Sequence, residues 1–269
     1  MAGKSRQSRE VIGSIVLLLL ALVLTTFPRD FWDEKPFTEW SEQQAIKLIS
    51  DSPWARQLTV LGSILGAGRT VGNRSSELPN VATPSGGRSS GAVMSTGTSL
   101  GASEGFAAND PVPVYVRWLS SVSVRQALGR LGQIQSRVVR VVRDDNVAAL
   151  QALNQKQGEL AEQEMHDYQI AVIAPVMDKF DDLSVEDFRG KTFLLSKRNK
   201  SKKIPLKSYT APRDRSDGVA LFSFERLLDG RPTFGLEDQE VEFLAEGGRI
   251  TLKTSFKLAK MLKDGMLDL

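Results

Sequence analysis

The second half of the chain is a series of short strand-like segments separated by turn signals, and this pattern most constrains the fold. Apolar and polar residues alternate, so that Val241 shares a face with Phe243, and Ile250 with Leu252. Short alternating strands at regular spacing are typical of an antiparallel sandwich. The segments are TFLLSKR, KIPLKSYT, VALFSFERL, EVEFLAEG, RITLKTSFKL and GMLDL, with DRSDG, LDGRP and EGGR among the turns between them.

Two earlier segments extend this β-structure. In residues 112–118, valines and Trp118 alternate with Pro113, Tyr115 and Arg117, and residues 168–176 form a short apolar run. Between them, residues 123–141 have helical spacing, with Ser123 as a candidate N-cap. We expect the strand at Val112 to join the later strands, which makes the helical part an insertion. An alternative keeps the helical part as a separate domain. The predicted fold is therefore α+β, a mainly antiparallel β-sandwich-like body with an inserted helical segment and a short N-terminal helix.

The short helix is predicted within the stretch KPFTEWSEQQAIKLISDSPWARQ. Ser41 is a strong N-cap and Gln44 completes a capping box, whereas Pro53 ends the helical run. Trp40 and Trp54 lie just outside its two ends. One hypothesis makes these two tryptophans a structural clip that docks the helix onto the β-rich body. The other makes them, together with Trp118, aromatic surfaces that stack on a sugar or a small apolar ligand.

The N-terminal segment predicts export. Lys4, Arg6 and Arg9 precede an apolar run at residues 11–27, the pattern of a signal peptide or of an uncleaved signal anchor. The run has no convincing small-residue cleavage site, and the absence of cysteine excludes a lipoprotein anchor. We expect the body to lie at the periplasmic face of the inner membrane, in the periplasm or outside the cell, with the membrane as a partner if the segment stays uncleaved.

Composition divides the chain into four predicted parts. Residues 1–28 are the signal or anchor, and residues 29–61 contain the short helix. Residues 62–109 are rich in Gly, Ser and Thr and poor in large apolar residues, which predicts a disordered insertion because such a segment buries too little surface to order its backbone. Residues 110–269 form the α+β body.

The residue inventory offers little for catalysis. The chain has no cysteine and one histidine, His166, which excludes thiol chemistry and argues against a zinc site. The carboxylate pairs 144–145 and 181–182 are adjacent in sequence and point apart, so neither pair alone can act across a sugar. We therefore predict no catalytic, cofactor-binding or metal-binding residues.

Charge gives a similar result. The net charge of +3 is too balanced to favour nucleic acid as a partner. Residues 196–203, SKRNKSKK, carry five cations and suit an anionic lipid head group, or nucleic acid. The same pattern is typical of a solvated hairpin end, which is the preferred interpretation because no aromatic residues interleave with the cations.

Several stretches together resemble a family of uncharacterised exported proteins of acidobacterial type. The resemblance rests on the PFTEWS and SPWA motifs, on VYVRWLSSVSVRQAL, on VALFSFERL and on ITLKTSFKLAKMLKDGMLDL. It implies a signal peptide, a helix motif with an SPWA core and a β-rich C-terminal half, and it carries over no catalytic residues. The missing cleavage site departs from that pattern.

The predicted function is that of an exported, non-enzymatic cell-envelope protein that binds a protein or a ligand. One alternative is a carboxylate-based hydrolase of a cell-wall polymer or a peptide. A second alternative is a sandwich that binds a sugar or a small apolar molecule through its tryptophans.

Overall fold

A computed structural model of the chain describes residues 30–67, 106–140, 161, 163 and 165–269. The chain divides into two compact units, Met1–Pro36 and Phe37–Leu269. The predicted signal or anchor at residues 11–27, the carboxylate pair 144–145 and most of the Gly/Ser-rich stretch lie outside the described residues. Within the described ranges, no helix combines the length and the apolar character needed to span a bilayer.

The described residues contain six α-helices and twelve strands. The helices are α1 (Phe31–Glu34), α2 (Glu42–Ser50), α3 (Gly62–Leu65), α4 (Val122–Arg140), α5 (Asp178–Asp181) and α6 (Val185–Phe188). The strands are β1 (Ala55–Leu61), β2 (Pro111–Trp118), β3 (Asp167–Ile173), β4 (Phe193–Ser196), β5 (Lys203–Thr210), β6 (Ala220–Glu225), β7 (Leu227–Leu228), β8 (Arg231–Pro232), β9 (Glu240–Gly247), β10 (Ile250–Lys257), β11 (Leu262–Lys263) and β12 (Met266–Leu267).

Eight strands form one antiparallel sheet in the order β1-β2-β3-β6-β5-β4-β9-β10. This confirms the predicted α+β class with a mainly antiparallel β body. Strand β2 pairs with β3, so the strand at Val112 does belong to the same sheet as the later strands. Helix α4 follows β2 and is therefore inserted between two neighbouring strands of that sheet. The alternation in β2 is as predicted, because its valines and Trp118 are buried.

The sheet curls until it is nearly a barrel. In a flat sheet, β2 and β10 would lie six strand spacings apart, about 29 Å. Yet the ring centroids of Trp118 in β2 and Phe256 in β10 are only 5.3 Å apart. At the open edge, Arg56 Nε of β1 donates to the Ser255 carbonyl of β10 at 3.2 Å. The two edge strands therefore meet, and one arginine side chain bridges the seam.

Strand β5 is the corner at which the sheet turns. Its first residues, Lys203–Pro205, pair with β4, whereas Leu206–Thr210 pair with β6. The register with β6 shifts between Leu206 and Ser208, which is a β-bulge. Bulges bend a strand and increase its twist. The bulge at Lys207 thus lets one strand serve both halves of the curled sheet.

Aromatic side chains fill the space that the sheet encloses. Phe222 in β6 and Phe243 in β9 are three strands apart in the sheet, but their ring centroids are 5.5 Å apart and both side chains are buried. Phe224 contacts the same Phe243 ring edge-on at 6.1 Å, and Phe188 of α6 contacts Phe222 at 5.0 Å. The centre of the sheet is therefore a packed core made largely of rings.

Helix α2 is fastened to the body at both ends. The capping box is present, with Ser41 N donating to Gln44 Oε1 at 3.0 Å and Gln44 N donating to Ser41 Oγ at 3.2 Å. Arg130 of α4 donates to the Trp40 carbonyl at 2.7 Å. At the other end, Arg117 Nε of β2 donates to the Ile49 carbonyl, where a cation also suits the helix dipole. Burial lowers the pKa of Arg117 to about 10, which still leaves it charged at neutral pH.

The start of helix α4 differs from the prediction. The helix begins at Val122, so Ser123 lies inside the first turn and is not the N-cap. Ser121 Oγ lies 3.4 Å from the Val124 amide, and the Asp268 carboxylate accepts from the Val122 and Ser123 amides at 2.6 and 3.0 Å. A carboxylate from the far end of the sequence thus takes the capping role that Ser123 was predicted to fill.

Candidate functional site

One end of the barrel gathers most of the irregular chain, and we call it the hairpin end. It is the end at which β4 leads into residues 197–202, β6 leads into β7 and β8, and β10 leads into β11 and β12. The strand registers place these exits together. In the sheet, Asp167 at the start of β3 lies opposite Glu225 at the end of β6, and Glu240 at the start of β9 lies opposite Lys257 at the end of β10. The opposite end carries the turn between β9 and β10, and the end of β1 at Leu61.

Two tight hairpins with the same turn project from the hairpin end. Strands β7 and β8 join through Asp229 and Gly230, whose φ angles are 51° and 74°. Strands β11 and β12 join through Asp264 and Gly265, with φ angles of 51° and 76°. Positive φ at both central residues is the signature of a type I′ turn, for which Asp-Gly is a preferred pair. The two hairpins are therefore rigid, sharply turned projections.

Exposed large apolar side chains concentrate at this end. Among the described residues, five such side chains are exposed, and four of them belong to the hairpin end. Their exposed fractions are 45% for Leu227, 64% for Leu228, 50% for Leu236 and 72% for Met266, whereas the fifth, Leu61 at 50%, lies at the opposite end. An apolar set gathered at one end of a soluble fold is a feature of interaction surfaces.

The loop at residues 197–203, which we call the basic loop, lies beside these apolar residues. Lys202 Nζ contacts the Asp238 carboxylate at 2.7 Å, and Arg198 donates to the Glu237 carbonyl at 3.1 Å, next to Leu236. Lys197 pairs with Glu240 at 2.8 Å. Lys200 is exposed and forms no ion pair with any residue in the described ranges. The charges of Lys197 and Lys202 are thus neutralised by neighbouring carboxylates, whereas Lys200 faces solvent without such a partner among the described residues.

The base of the β7–β8 hairpin is anchored on buried aromatic residues. Tyr168 and Phe234 stack with ring centroids 5.7 Å apart, and the Phe234 amide donates to Tyr168 Oη at 3.3 Å. Burial raises the pKa of the Tyr168 hydroxyl, so it stays protonated at neutral pH. The Thr233 amide donates to the Arg226 carbonyl at 2.9 Å and closes the hairpin. The tip is therefore exposed, but its base is held in place.

Asp238 ties the turn after this hairpin to the basic loop. Its carboxylate accepts from Lys202 Nζ at 2.7 Å and from the Gly235 amide at 3.0 Å. Burial of the carboxyl group raises its pKa, but the hydrogen bonds from Lys202, Gly235 and Ser196, together with the charge of Lys202, outweigh burial and hold the pKa below its ordinary value. The charged form is therefore the one that the folded state favours.

We expect acid to weaken the contact of Asp238 with Lys202 and the Gly235 amide. Because the folded pKa lies below the unfolded value of about 3.9, Asp238 stabilises the fold above that pH and loses the contribution as the pH falls through the folded pKa. Urea unfolding of the wild type and of Asp238→Asn, measured between neutral pH and about pH 3, should show a difference in unfolding free energy that shrinks on acidification. Lys202→Gln removes the cation and should move the loss to higher pH. A difference that is constant with pH would contradict this role.

The residues singled out from the sequence do not form an accessible site. Trp40, Trp54 and Trp118 are buried, so none of these indoles offers an open face on which a sugar can stack. Ser41 and Gln44 are occupied with each other in the capping box. The features that sequence reasoning missed are the exposed leucines and Met266. Their available signal was the Asp-Gly pair within the short apolar segments LLDGRP and LKDGML.

The candidates for catalysis are also dispersed. His166 is exposed at the start of β3. In the adjacent pair, Asp181 accepts from the Arg213 amide at 2.7 Å and Asp182 pairs with Lys179 at 3.1 Å. Within the described ranges, no group of three or more His, Asp or Glu side chains is placed to hold a metal ion. These carboxylates therefore serve local turns of the chain.

The chain was compared with protein-family models, with curated proteins and with solved structures, and none of the three comparisons found a significant match.

Proposed function

We propose that the protein is an exported, non-enzymatic component of the cell envelope that acts by binding, and that the hairpin end is its contact surface. The observation that carries the proposal is the gathering of Leu227, Leu228, Leu236 and Met266 at one end of the fold. The opposite end presents Leu61 alone among the large apolar side chains of the described residues.

Two further observations support binding over catalysis. The aromatic core leaves the enclosed space occupied by Phe222, Phe224 and Phe243, all of which are buried. Of the two carboxylate pairs considered for a hydrolase, the one within the described ranges is engaged with Arg213 and Lys179 at the surface. The family resemblance in the sequence and the apolar run at residues 11–27 support export.

The absence of cysteine gives a direct test of the export part of the proposal. A single introduced cysteine at an exposed position, Leu228→Cys, is the only thiol in the chain. In spheroplasts, which are bacterial cells that have lost the outer membrane but keep a sealed inner membrane, a membrane-impermeant maleimide should label this thiol without lysis. Labelling that requires lysis would place the body in the cytoplasm and overturn export.

Binding is tested by photo-crosslinking in the same cells. A photoreactive amino acid at residue 228 should give adducts with an envelope component, lipid or protein, whereas the same group at residue 61 should not. Leu61 is a matched control because it is comparably exposed and lies at the opposite end of the barrel. Equal adducts at both positions, or adducts at neither, would overturn the hairpin end as the contact surface.

A further inference from the structure

We infer that the partner of the hairpin end is an anionic lipid surface, which the two Asp-Gly hairpins enter at head-group depth while the basic loop binds the head groups. The inference rests on the proposed function and names the partner of the same surface. It follows from the shape of the apolar part, from the charge around it and from the chemistry of the hairpin tips.

The shape of the β7–β8 hairpin favours a fluid partner. Leu227 and Leu228 are consecutive strand residues, and consecutive side chains point to opposite faces of a strand. Both are exposed, so each face of the hairpin carries an exposed leucine. A docking partner of fixed shape would have to enclose both faces, whereas lipid chains and head groups close around a thin wedge. Met266 adds a second, separate apolar tip on the β11–β12 hairpin.

The charge around the hairpin complements an anionic surface. Residues 197–203 and 226–238 together carry seven Lys and Arg side chains against three carboxylates. Asp238 is buried and paired with Lys202, so one of the three carboxylates is already neutralised. Arg231, which pairs across the hairpin with Leu228, is exposed and forms no ion pair with any residue that the structure describes. Lys200 is likewise exposed and forms no ion pair within the described residues. These two cations are available to lipid phosphates.

The tip residues limit the depth of insertion. Asp229 lies in the turn next to Leu228, and Asp264 lies in the second turn. A carboxylate is costly to bury in hydrocarbon, so both tips stop among hydrated head groups. Leucine and methionine side chains next to them still leave water for the upper part of the acyl chains. The predicted mode is shallow, reversible contact at the interface.

Because the apolar run at residues 11–27 can itself bind a bilayer, the test reads the hairpin locally in the full chain. Leu228→Cys is labelled with an environment-sensitive dye, and Leu61→Cys is labelled as the control. Vesicles of phosphatidylcholine with phosphatidylglycerol should shift the emission at residue 228 to shorter wavelength and leave residue 61 unchanged. Pure phosphatidylcholine vesicles should give no shift at either position, and concentrated salt should reverse the shift with anionic vesicles.

Charge variants then test the basic component. In the Leu228→Cys background, Lys200→Gln or Arg231→Gln should each raise the anionic lipid concentration at half-maximal shift by about fivefold. Lys191→Gln is the matched control, since Lys191 is exposed and precedes β4 whereas the basic loop follows it. It should leave the half-maximal concentration unchanged.

The outcomes separate this inference from the proposed function. No shift at residue 228, equal shifts at residues 228 and 61, or equal shifts with neutral and anionic vesicles would overturn the anionic lipid surface. If the vesicles cause no emission shift at residue 228 while crosslinks from residue 228 in cells reach a protein, the partner is a protein and the binding function stands. If vesicles and crosslinks both fail, the proposed contact surface is also overturned.

Discussion

Replacing Trp54 with alanine should lower the free energy of unfolding by about 3–5 kcal/mol. The indole is fully buried, and its Nε1 donates to the Asp268 carbonyl at 2.7 Å. The substitution leaves a cavity beside the start of β1 and removes the donor from a buried carbonyl, so both effects destabilise the protein. Urea unfolding followed by circular dichroism measures the loss.

Trp54→Phe is the matched control for this prediction. It keeps much of the apolar volume but lacks the N–H group, so its loss should be smaller and should combine the missing hydrogen bond to Asp268 with a smaller cavity. A loss below about 1 kcal/mol for Trp54→Ala would mean that the site collapses around the smaller side chain, and would contradict the clip role of Trp54.

Replacing Asp268 with alanine should lower the free energy of unfolding by about 2–4 kcal/mol. Its carboxylate accepts from Ser121 Oγ at 2.8 Å and from the amides of Val122 and Ser123. The substitution removes the cap of the longest described helix and leaves three donors without their acceptor, two of them buried and the Val122 amide partly buried. The unfolding midpoint in urea is the measurement.

Asp268→Asn gives a graded comparison. The amide oxygen replaces one carboxylate oxygen as an acceptor, but the amide NH₂ cannot accept from the other donors. Its unfolding free energy should therefore lie between the values for the wild type and for alanine. If the alanine variant matches the wild type, Asp268 does not cap α4 in solution.

Local patterns predicted the elements whose causes are local. The alternation of apolar and polar residues predicted β2 correctly because one face of the strand is buried and the other is not. The same holds for β9 and β10. The capping box at Ser41 and Gln44 was readable because its two hydrogen bonds join residues three apart. The turn signal EGGR was also correct, because β9 and β10 join there through Gly248 and Arg249.

The parts that were missed depend on distant contacts. Strand β1 was not predicted, because its core-facing positions are only half-buried at the seam and Arg56 occupies one of them, where an apolar residue would mark a strand. The segment GMLDL was predicted as a strand, but pairing ends at Leu267 and Asp268 turns to cap α4. No local pattern shows that a carboxylate will cap a helix nearly 150 positions earlier.

The exposed hairpin tips were missed for a different reason. The sequence predicts a turn at LDGRP, but it also predicts that VALFSFERL is one strand through Leu227. In the structure, β6 ends at Glu225. A two-residue strand is too short to show an alternating pattern, so the sequence could not reveal that both leucines face outward.

The bond from Trp54 to Asp268 also bears on when the barrel can close. The two residues are 214 positions apart, so nearly all of the described chain must be present before this contact forms. Loop closure over such a distance is entropically costly, and folds dominated by distant contacts fold slowly. Under the export proposed above, this delay would keep the chain unfolded during passage across the membrane, and the last strand segments would complete the seam afterwards.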